Sequence, residues 1–201
     1  MDRFNLEEAR RNPTGMPDAE ASAQAEEYLQ KCIENQDSAG GVVSCKVHGM
    51  PAGIGEPVFD KLDACLGQAV MSIGAVKAFA VGDGCEVSKK NGSTNNDAFC
   101  NVNGQISKKT NHAGGILGGI SDGSDIILRA YFKPTPSIYQ KQQTVNQAGE
   151  EIEIQIKGRH DPIVVSRAVV VVEAMTAVTI LDELLRNMTS RLDGIKKFYH
   201  K

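Results

Sequence analysis

The chain lacks the cysteine spacing of a metal centre or of a disulfide scaffold. Its 201 residues include five cysteines, which form no CxxC pair and no Cys/His cluster with zinc spacing. An odd number of cysteines without motif spacing favours reduced thiols over a disulfide framework. The sequence therefore predicts a cytoplasmic protein without a metal site.

The chain also lacks an excess of charge and a long uninterrupted apolar run. Its formal net charge is -3, which argues against a nucleic-acid partner because no basic surface dominates. The longest apolar region, residues 168–185, is interrupted by Glu173, Asp182 and Glu183, and this pattern predicts a buried helix rather than a membrane span. Residues 1–11 are charged and show no signal peptide. We expect no membrane association.

The residues that are present predict a folded protein with both helices and strands. Hydrophobic residues make up 41% and charged residues 23% of the chain, close to globular averages. The hairpin-like spacing of the later strands predicts antiparallel pairing. Helices are predicted over residues 19–35, 57–71 and 162–186, strands over 42–47, 75–81, 125–132 and 151–157, and a mobile loop or irregular hairpin over 91–111.

Two double glycines occur four residues apart, at Gly114-Gly115 and Gly118-Gly119. They have neither the GxGxxG spacing of a dinucleotide fold nor the Lys-Ser/Thr of a P-loop. One explanation is a tight crossing of two backbones where a side chain would not fit. The other is a close approach of backbone N–H groups to a flat or anionic ligand. The repetition of the pair favours ligand approach.

A proline-stiffened segment follows the strand predicted at 125–132. Lys133, Thr135 and Ser137 supply a cation and two hydroxyl groups, separated by two prolines. A phosphate needs such donors on a backbone that loses little entropy on binding. A simple strand-ending turn explains the same residues equally well.

The run from Gly158 to Pro162 places Arg159, His160 and Asp161 next to one another at an element boundary. Asp161 and Pro162 fit a helix start, with Asp at the N-cap and Pro at the first helical position. In a cleft, the same residues would provide a fixed cation and a titratable base. The remaining histidines have no triad or ligand spacing and are predicted to lie in surface loops: His48, His112 and His200.

A series of motifs runs in order along nearly the whole chain. The motifs are GIGEPVFDKLDA at 53–64, MSIGAVK at 71–77, GDG at 82–84, Gly92-Ser93 with Asn96-Asp97, NHAGGILGGIS at 111–121, KPT at 133–135, GRHDP at 158–162 and EAM at 173–175. Their order and spacing closely resemble the chorismate synthase family. The resemblance covers the C-terminal part of the family domain, to which we assign residues 1–201.

The resemblance implies an α+β fold, a β-α-β sandwich with helices packed between antiparallel sheets, and a homotetramer. In that fold the last helix, apolar on most faces, suits a central buried position. The implied activity is that of a lyase: anti-1,4-elimination of phosphate from 5-enolpyruvylshikimate 3-phosphate to give chorismate, the last common step of the shikimate pathway to aromatic amino acids. The implied cofactor is reduced FMN, with NADPH or another reductant as the electron source.

The resemblance also assigns roles to individual residues of this chain. The carboxylate of Asp161 matches the position of the family's catalytic base. The residues that match FMN-contacting positions are Gly74, Ala75, Gly118, Lys133, Pro134, Thr135, Pro136, Ser137 and Arg159. Pro136 stands where the family usually has Ser.

The family's N-terminal part, with its two catalytic histidines and several arginines, is not matched by this chain. We therefore expect this chain alone to be inactive. Two hypotheses stay open. The chain is part of an active lyase whose remainder is supplied separately, or it is an inactive folded fragment that serves as a flavin-binding or oligomerisation module.

Overall fold

The computed structural model describes residues 5–158 and 161–199. The chain divides into two compact units, one consisting of Met1–Val42 and Phe132–Val169 and the other of Val43–Tyr131 and Val170–Lys201. The helices are α1 (Leu6–Arg11), α2 (Ala19–Glu34), α3 (Leu62–Met71), α4 (Gly92–Asn95), α5 (Val165–Met188) and α6 (Leu192–Tyr199), with a 3-10 helix at Gly84–Lys89. The strands are β1 (Gly41–Val47), β2 (Val76–Val81), β3 (Phe99–Val102), β4 (Gln105–Lys108), β5 (Ile116–Leu117), β6 (Ile120–Ser121), β7 (Ile126–Phe132), β8 (Lys141–Val145) and β9 (Glu151–Gln155).

The fold class is α+β, as the sequence predicted. A three-stranded sheet has the order β1-β7-β2, and three two-stranded antiparallel hairpins join β3 to β4, β5 to β6 and β8 to β9. The predicted helix at 19–35 and the predicted strands at 42–47, 75–81 and 125–132 are confirmed within about one residue by α2, β1, β2 and β7. Helix α2 begins where Asp18 caps it, accepting a hydrogen bond from the Ala21 N–H at 2.9 Å.

The core of the second unit forms around β7 and α3. Every second residue of β7 is buried, and Ile126, Leu128 and Ala130 have no exposed surface, as the period of two in a strand requires. Helix α3 buries Leu62 and Leu66, spaced one helical turn apart. These two patterns place one apolar face of each element in a common core.

Helix α3 begins five residues later than the sequence predicted. The predicted start near Pro57 is wrong because the preceding residues form a turn, in which the Glu56 N–H donates to the Asp60 carbonyl oxygen at 3.1 Å. The helix then starts where the Leu62 N–H donates to the carbonyl oxygen of Gly119 at 2.8 Å. A backbone contact from a distant hairpin thus takes the place of a side-chain cap.

Helix α5 also begins later than predicted, at Val165 rather than Pro162. The Pro162 carbonyl oxygen accepts a hydrogen bond from the Ala39 N–H at 2.7 Å, and Ile163 pairs with Ala39 in a parallel bridge. Residues engaged in this pairing are extended and cannot join a helix. The interpretation of Asp161 as the helix N-cap is therefore wrong.

Two hairpins lie in regions where the sequence did not predict both strands. Residues 91–111 take the hairpin alternative, with β3 and β4 joined by Asn103 and Gly104 at positive φ. Strand β8 was not predicted, and it pairs with β9 so that Lys141 faces Gln155 and Val145 faces Glu151. Strand β9 matches the predicted strand at 151–157.

Helix α5 is buried on one face only, whereas the sequence predicted a central buried helix. Its buried face includes Val172, Thr176, Ile180 and Glu183, while many of its other aliphatic residues are exposed. Across the described residues, no helix combines the length and the apolar character needed to cross a bilayer.

The ion pair between Lys108 and Asp122 should make folding stability depend on pH. The two side chains are 5% and 9% exposed. Burial opposes the charged carboxylate, but hydrogen bonds from Lys108 and Ser124 outweigh it and lower the pKa of Asp122. A lowered folded-state pKa contributes stability that is complete above the unfolded value of about 4 and is lost as the pH falls below it.

We therefore expect Asp122→Asn to lower the free energy of unfolding by about 1–3 kcal/mol at pH 7, and by progressively less below pH ~4. Urea unfolding at several pH values measures this difference. Asp193→Asn is the control, because that carboxylate is exposed beside Arg191 and should change stability little. A destabilisation by Asp122→Asn that stayed constant down to pH ~3 would contradict the assignment.

Candidate functional site

A groove of about 110 Å³ in the first unit brings two predicted site residues together. Its walls come from the end of α2, the segment after β7 and the residues before α5. Ser137 and Asp161 both line this groove. The complete lining is Ile33, Gln36, Asp37, Ser38, Ser137, Ile138, Tyr139, Asp161 and Pro162.

The loop that follows α2 contacts the segment from Lys133 to Ser137 and holds it in place. The Ser38 hydroxyl donates to the Thr135 carbonyl oxygen at 2.7 Å. A Cβ atom on Gly40 would lie 2.6 Å from the Phe132 carbonyl oxygen and 3.2 Å from Pro134 Cδ. Glycine is therefore needed where the two backbones meet. The sequence did not single out Gly40, because nothing local in the sequence identifies its distant partner.

Two polar groups of this segment are available to a ligand. Thr135 Oγ1 is buried and has no hydrogen-bond partner among the described residues. Lys133 is half-buried and pairs with no carboxylate in the described part of the chain. Buried polar groups are rarely left unsatisfied, and a hydroxyl beside an ammonium on a stiff backbone suits an anionic oxygen. These donors fit the phosphate of a nucleotide cofactor such as FMN.

Asp161 lies at the groove as one partner of an ion pair with Arg167. Its side chain is 47% exposed, so the carboxylate can exchange a proton with solvent or with a ligand in the groove. The sequence did not single out Arg167, which lies six residues after Asp161. Arg159 and His160 lie outside the described residues, and the role of Arg159 stays a prediction.

Gly74 and Ala75 form the link between α3 and β2 in the second unit. Gly74 is exposed, and a Cβ atom built on it would meet nothing within 4 Å. Ala75 has φ of 69°, an unusual conformation for a residue with a side chain. The link therefore leaves room for a ligand, and its contact with FMN stays a prediction.

The first double glycine is explained by packing. A Cβ atom on Gly114 would lie 2.3 Å from the Gly82 nitrogen, and one on Gly115 would lie 2.6 Å from the Asp125 carbonyl oxygen. These distances are shorter than any contact that a Cβ atom could tolerate. At this pair the backbone-crossing explanation is confirmed.

The second double glycine combines both explanations. Gly118 and Gly119 form the two-residue turn between β5 and β6, with φ of 60° and 87°. A Cβ atom on Gly119 would lie 2.4–2.6 Å from the Lys61 side chain, whereas Gly118 is exposed with nothing within 4 Å. Of the two, Gly118 alone leaves space for a ligand.

A charged cluster in the second unit has a structural explanation. Asp83 Oδ2 accepts from Lys90 Nζ and lies 2.6 Å from His112 Nδ1. The hydrogen bond from Lys90, assisted by His112, lowers the pKa of Asp83. His112 lies in a loop, as the sequence predicted, and its side chain is half-buried in this ion network. Its backbone carbonyl oxygen accepts from the Asp83 N–H at 2.9 Å, which ties the two loops together.

Metal binding has no support in the described side chains, among which no group of three or more His, Cys, Asp or Glu residues could hold an ion.

The five cysteines are free thiols. Burial, reinforced by the nearby carboxylate of Glu183, raises the pKa of Cys65, so this thiol is a poor nucleophile.

Comparison with known proteins gives one family. The family model described as chorismate synthase matches residues 3–185. A chorismate synthase of Lachnoclostridium phytofermentans is 62% identical over 191 residues, covering 94% of this chain and 52% of the relative. One from Agathobacter rectalis is 57% identical, covering 98% of this chain and 54% of the relative.

A solved structure titled as a crystal structure of chorismate synthase is similar in fold. It superposes with a TM-score of 0.75 at 27% sequence identity, covering 95% of this chain and 51% of that chain. This chain therefore spans about half the length of the proteins that it matches.

The β5–β6 turn allows the two glycine roles to be separated by matched substitutions. Gly118→Ala and Gly119→Ala both place a side chain at positive φ, which costs about 1 kcal/mol. Only Gly119→Ala also forces a methyl group against Lys61, so it should destabilise the protein by a further 1–3 kcal/mol or so. Thermal unfolding of both variants tests this difference. Equal melting temperatures would contradict the packing role of Gly119.

Proposed function

Because this chain belongs to the chorismate synthase family, we propose that it supplies part of the site that eliminates phosphate from 5-enolpyruvylshikimate 3-phosphate to give chorismate. We propose reduced FMN as the cofactor, with NADPH or another reductant as its electron source. Since the chain spans about half the length of its relatives, the activity is proposed for the assembled enzyme. We propose a homo-oligomeric assembly for that enzyme.

The observation that carries the proposal is a buried hydroxyl without a partner and a lysine without an ion pair among the described residues, both in the segment after β7. Thr135 Oγ1 is buried without a partner among the described residues, and Lys133 is half-buried without an ion pair there. Burying such groups is costly unless an acceptor arrives. A phosphate supplies several acceptor oxygens, so both donors would be satisfied by one group.

Cofactor binding and proton transfer are assigned to different residues. Lys133 and the hydroxyls of Thr135 and Ser137 would hold the cofactor phosphate, on a segment whose two prolines limit motion. Bound reduced FMN would supply electron density that stabilises the allylic centre as phosphate leaves.

Asp161 is the proposed proton acceptor. Its carboxylate lies at the groove with Ser137 and is paired with Arg167. Arg167 would act by orienting the carboxylate rather than by touching the substrate. The proton that Asp161 takes up can leave through solvent, because the side chain is half exposed.

The second candidate is an inactive fragment that binds flavin or promotes oligomerisation. It is favoured by the share of the relatives that this chain spans, about half. The two candidates differ in turnover, since both keep the donors of the Lys133–Ser137 segment.

An assay of chorismate formation from 5-enolpyruvylshikimate 3-phosphate with reduced FMN distinguishes them. We expect no turnover from this chain alone, because the groove offers few cations to offset charge on the departing phosphate. We expect turnover when the unmatched half of the L. phytofermentans relative is co-expressed with it. Inactivity of the soluble, co-purified pair would favour the inactive fragment.

Flavin binding tests the role of Lys133. Lys133→Ala should weaken FMN binding by about 1–3 kcal/mol, the range of a charge-assisted hydrogen bond, as measured by flavin fluorescence titration. Lys141→Ala is the matched control in the same unit, since its ammonium is exposed and already paired with Glu153. Equal affinities of the two variants would remove Lys133 from the site.

Asp161→Asn tests the role of the base in the assembled enzyme. The substitution keeps the size of the side chain but removes proton acceptance, so kcat should fall about 10²–10⁴-fold. The melting temperature should change little for both Asp161→Asn and Asp161→Ala, because Asp161 caps no helix and exposed ion pairs contribute about 0–1 kcal/mol. Unchanged turnover in Asp161→Asn would rule out the catalytic role.

A further inference from the structure

The β8–β9 hairpin joins the two segments that carry the candidate site in the first unit. We call residues 133–137, which lead into β8, the phosphate segment, and residues 156–161, which follow β9, the base segment. Among the described strands, β8 and β9 pair only with each other, and an isolated two-stranded hairpin is marginally stable in water. The contacts at the base of the hairpin therefore decide how firmly the two segments are held together.

Side-chain amides of the hairpin bind backbone carbonyl groups on the path from the phosphate segment into β8. Gln142 Nε2 donates to the Pro136 carbonyl oxygen at 3.0 Å, and Gln155 Nε2 donates to the Tyr139 carbonyl oxygen at 2.6 Å. Gln155 is the last residue of β9 and faces Lys141 across the hairpin. These two hydrogen bonds fix the phosphate segment to the base of the hairpin.

Tyr139 makes the contact that joins the phosphate segment to the base segment. Its hydroxyl donates to the carbonyl oxygen of Gly158, which lies three residues before Asp161. Its ring lines the same groove as Ser137 and Asp161. Because the hydroxyl proton is engaged with a backbone carbonyl group, Tyr139 suits a role in holding the segments rather than in giving a proton to a ligand.

The base segment is attached on both sides of Asp161. The Pro162 carbonyl oxygen accepts from the Ala39 N–H at 2.7 Å on one side, and Gly158 accepts from Tyr139 on the other. Loss of the Tyr139 hydrogen bond would let the Gly158 end move relative to the phosphate segment. A displacement of about 1 Å is enough to slow catalysis about 10²-fold.

We infer that Tyr139 is a positioning residue, whose hydrogen bond to Gly158 holds the base segment in place relative to the phosphate segment. The inference rests on the proposed function for the roles of the two segments. It adds a residue to which the family resemblance assigns no role, and it explains why a projecting hairpin lies between the two parts of the candidate site.

Amide hydrogen exchange of the 201-residue chain tests this attachment without a ligand and without turnover. Tyr139→Phe keeps the ring that lines the groove and removes only the hydroxyl. Peptides that contain residues 156–163 should then exchange about 2–10-fold faster, the range for loss of one hydrogen bond. Unchanged exchange of these peptides in Tyr139→Phe would overturn the inference.

Tyr199→Phe is the control for the exchange measurement. It removes a hydroxyl from a ring that is 77% exposed in the second unit, and its ring contact with Phe198 is kept. Peptides 156–163 should exchange in this variant as in the unchanged chain. Peptides from α3 should exchange equally in all three proteins, which verifies that the fold is kept.

Turnover of the enzyme assembled with the unmatched half of the L. phytofermentans relative separates positioning from a general loss of stability. Tyr139→Phe should lower kcat about 10–100-fold, because the base is misplaced. In the Asp161→Asn background the same substitution should lower kcat less than about twofold, because residues that act through one another are not additive. Unchanged kcat in Tyr139→Phe, or an equal loss in both backgrounds, would overturn the inference.

The two measurements distinguish a failure of this inference from a failure of the proposed function. Faster exchange in Tyr139→Phe without turnover by the assembled enzyme would leave the Tyr139 attachment standing and remove the proposed function. Turnover by the assembled enzyme with exchange that is insensitive to Tyr139→Phe would do the reverse.

Discussion

The hydrogen bond from the Ala39 N–H to the Pro162 carbonyl oxygen determines where the long helix can begin and what Asp161 can do. With Pro162 and Ile163 held in extended pairing, the first helical residue is Val165. If the helix began at Pro162, the Asp161 side chain would accept hydrogen bonds from the backbone N–H groups of the first helical turn. The pairing instead leaves that carboxylate at a groove with Ser137.

Close backbone contacts at glycine residues also position the segments that are candidates for ligand binding. Gly40 permits the loop after α2 to approach the Phe132 carbonyl oxygen, and this approach supports the Lys133–Ser137 segment. Gly119 permits its own carbonyl oxygen to cap α3 through the Leu62 N–H. Exposed positions such as Gly118 therefore lie next to positions that only glycine can fill.

The sequence predicted those elements whose pattern is strong over their own length. Strand β7, with the sequence IILRAYF, is apolar at almost every position, and α2 has an Asp18 cap before a periodic apolar face, so both were placed correctly. Strand β8, with the sequence KQQTV, has too few apolar residues to be distinguished from a loop, and it exists because β9 pairs with it. The starts of α3 and α5 were wrong because partners distant in the sequence set them, at Gly119 and Ala39.

The candidate site was predictable to a similar extent. The residue types at 133–137 fit an anion site or a strand-ending turn, but the burial of Thr135 Oγ1 depends on packing that no local pattern shows. Arg167 could not be predicted, because its contact with Asp161 follows from the late start of α5. Separating Gly118 from Gly119 likewise required the position of Lys61.

Helix α5 raises the question of how a carboxylate is accommodated on the side that packs inward. The buried side includes Glu183, whereas Leu181 and Leu185 are exposed. A buried carboxylate is costly unless it is paired. Glu183 Oε1 lies 3.4 Å from Arg186, one turn along the same helix, and Arg186 also lies 3.5 Å from Asp60 in the turn before α3. Arg186 therefore offsets part of the cost of burying Glu183, and its contact with Asp60 joins this face of α5 to the turn before α3.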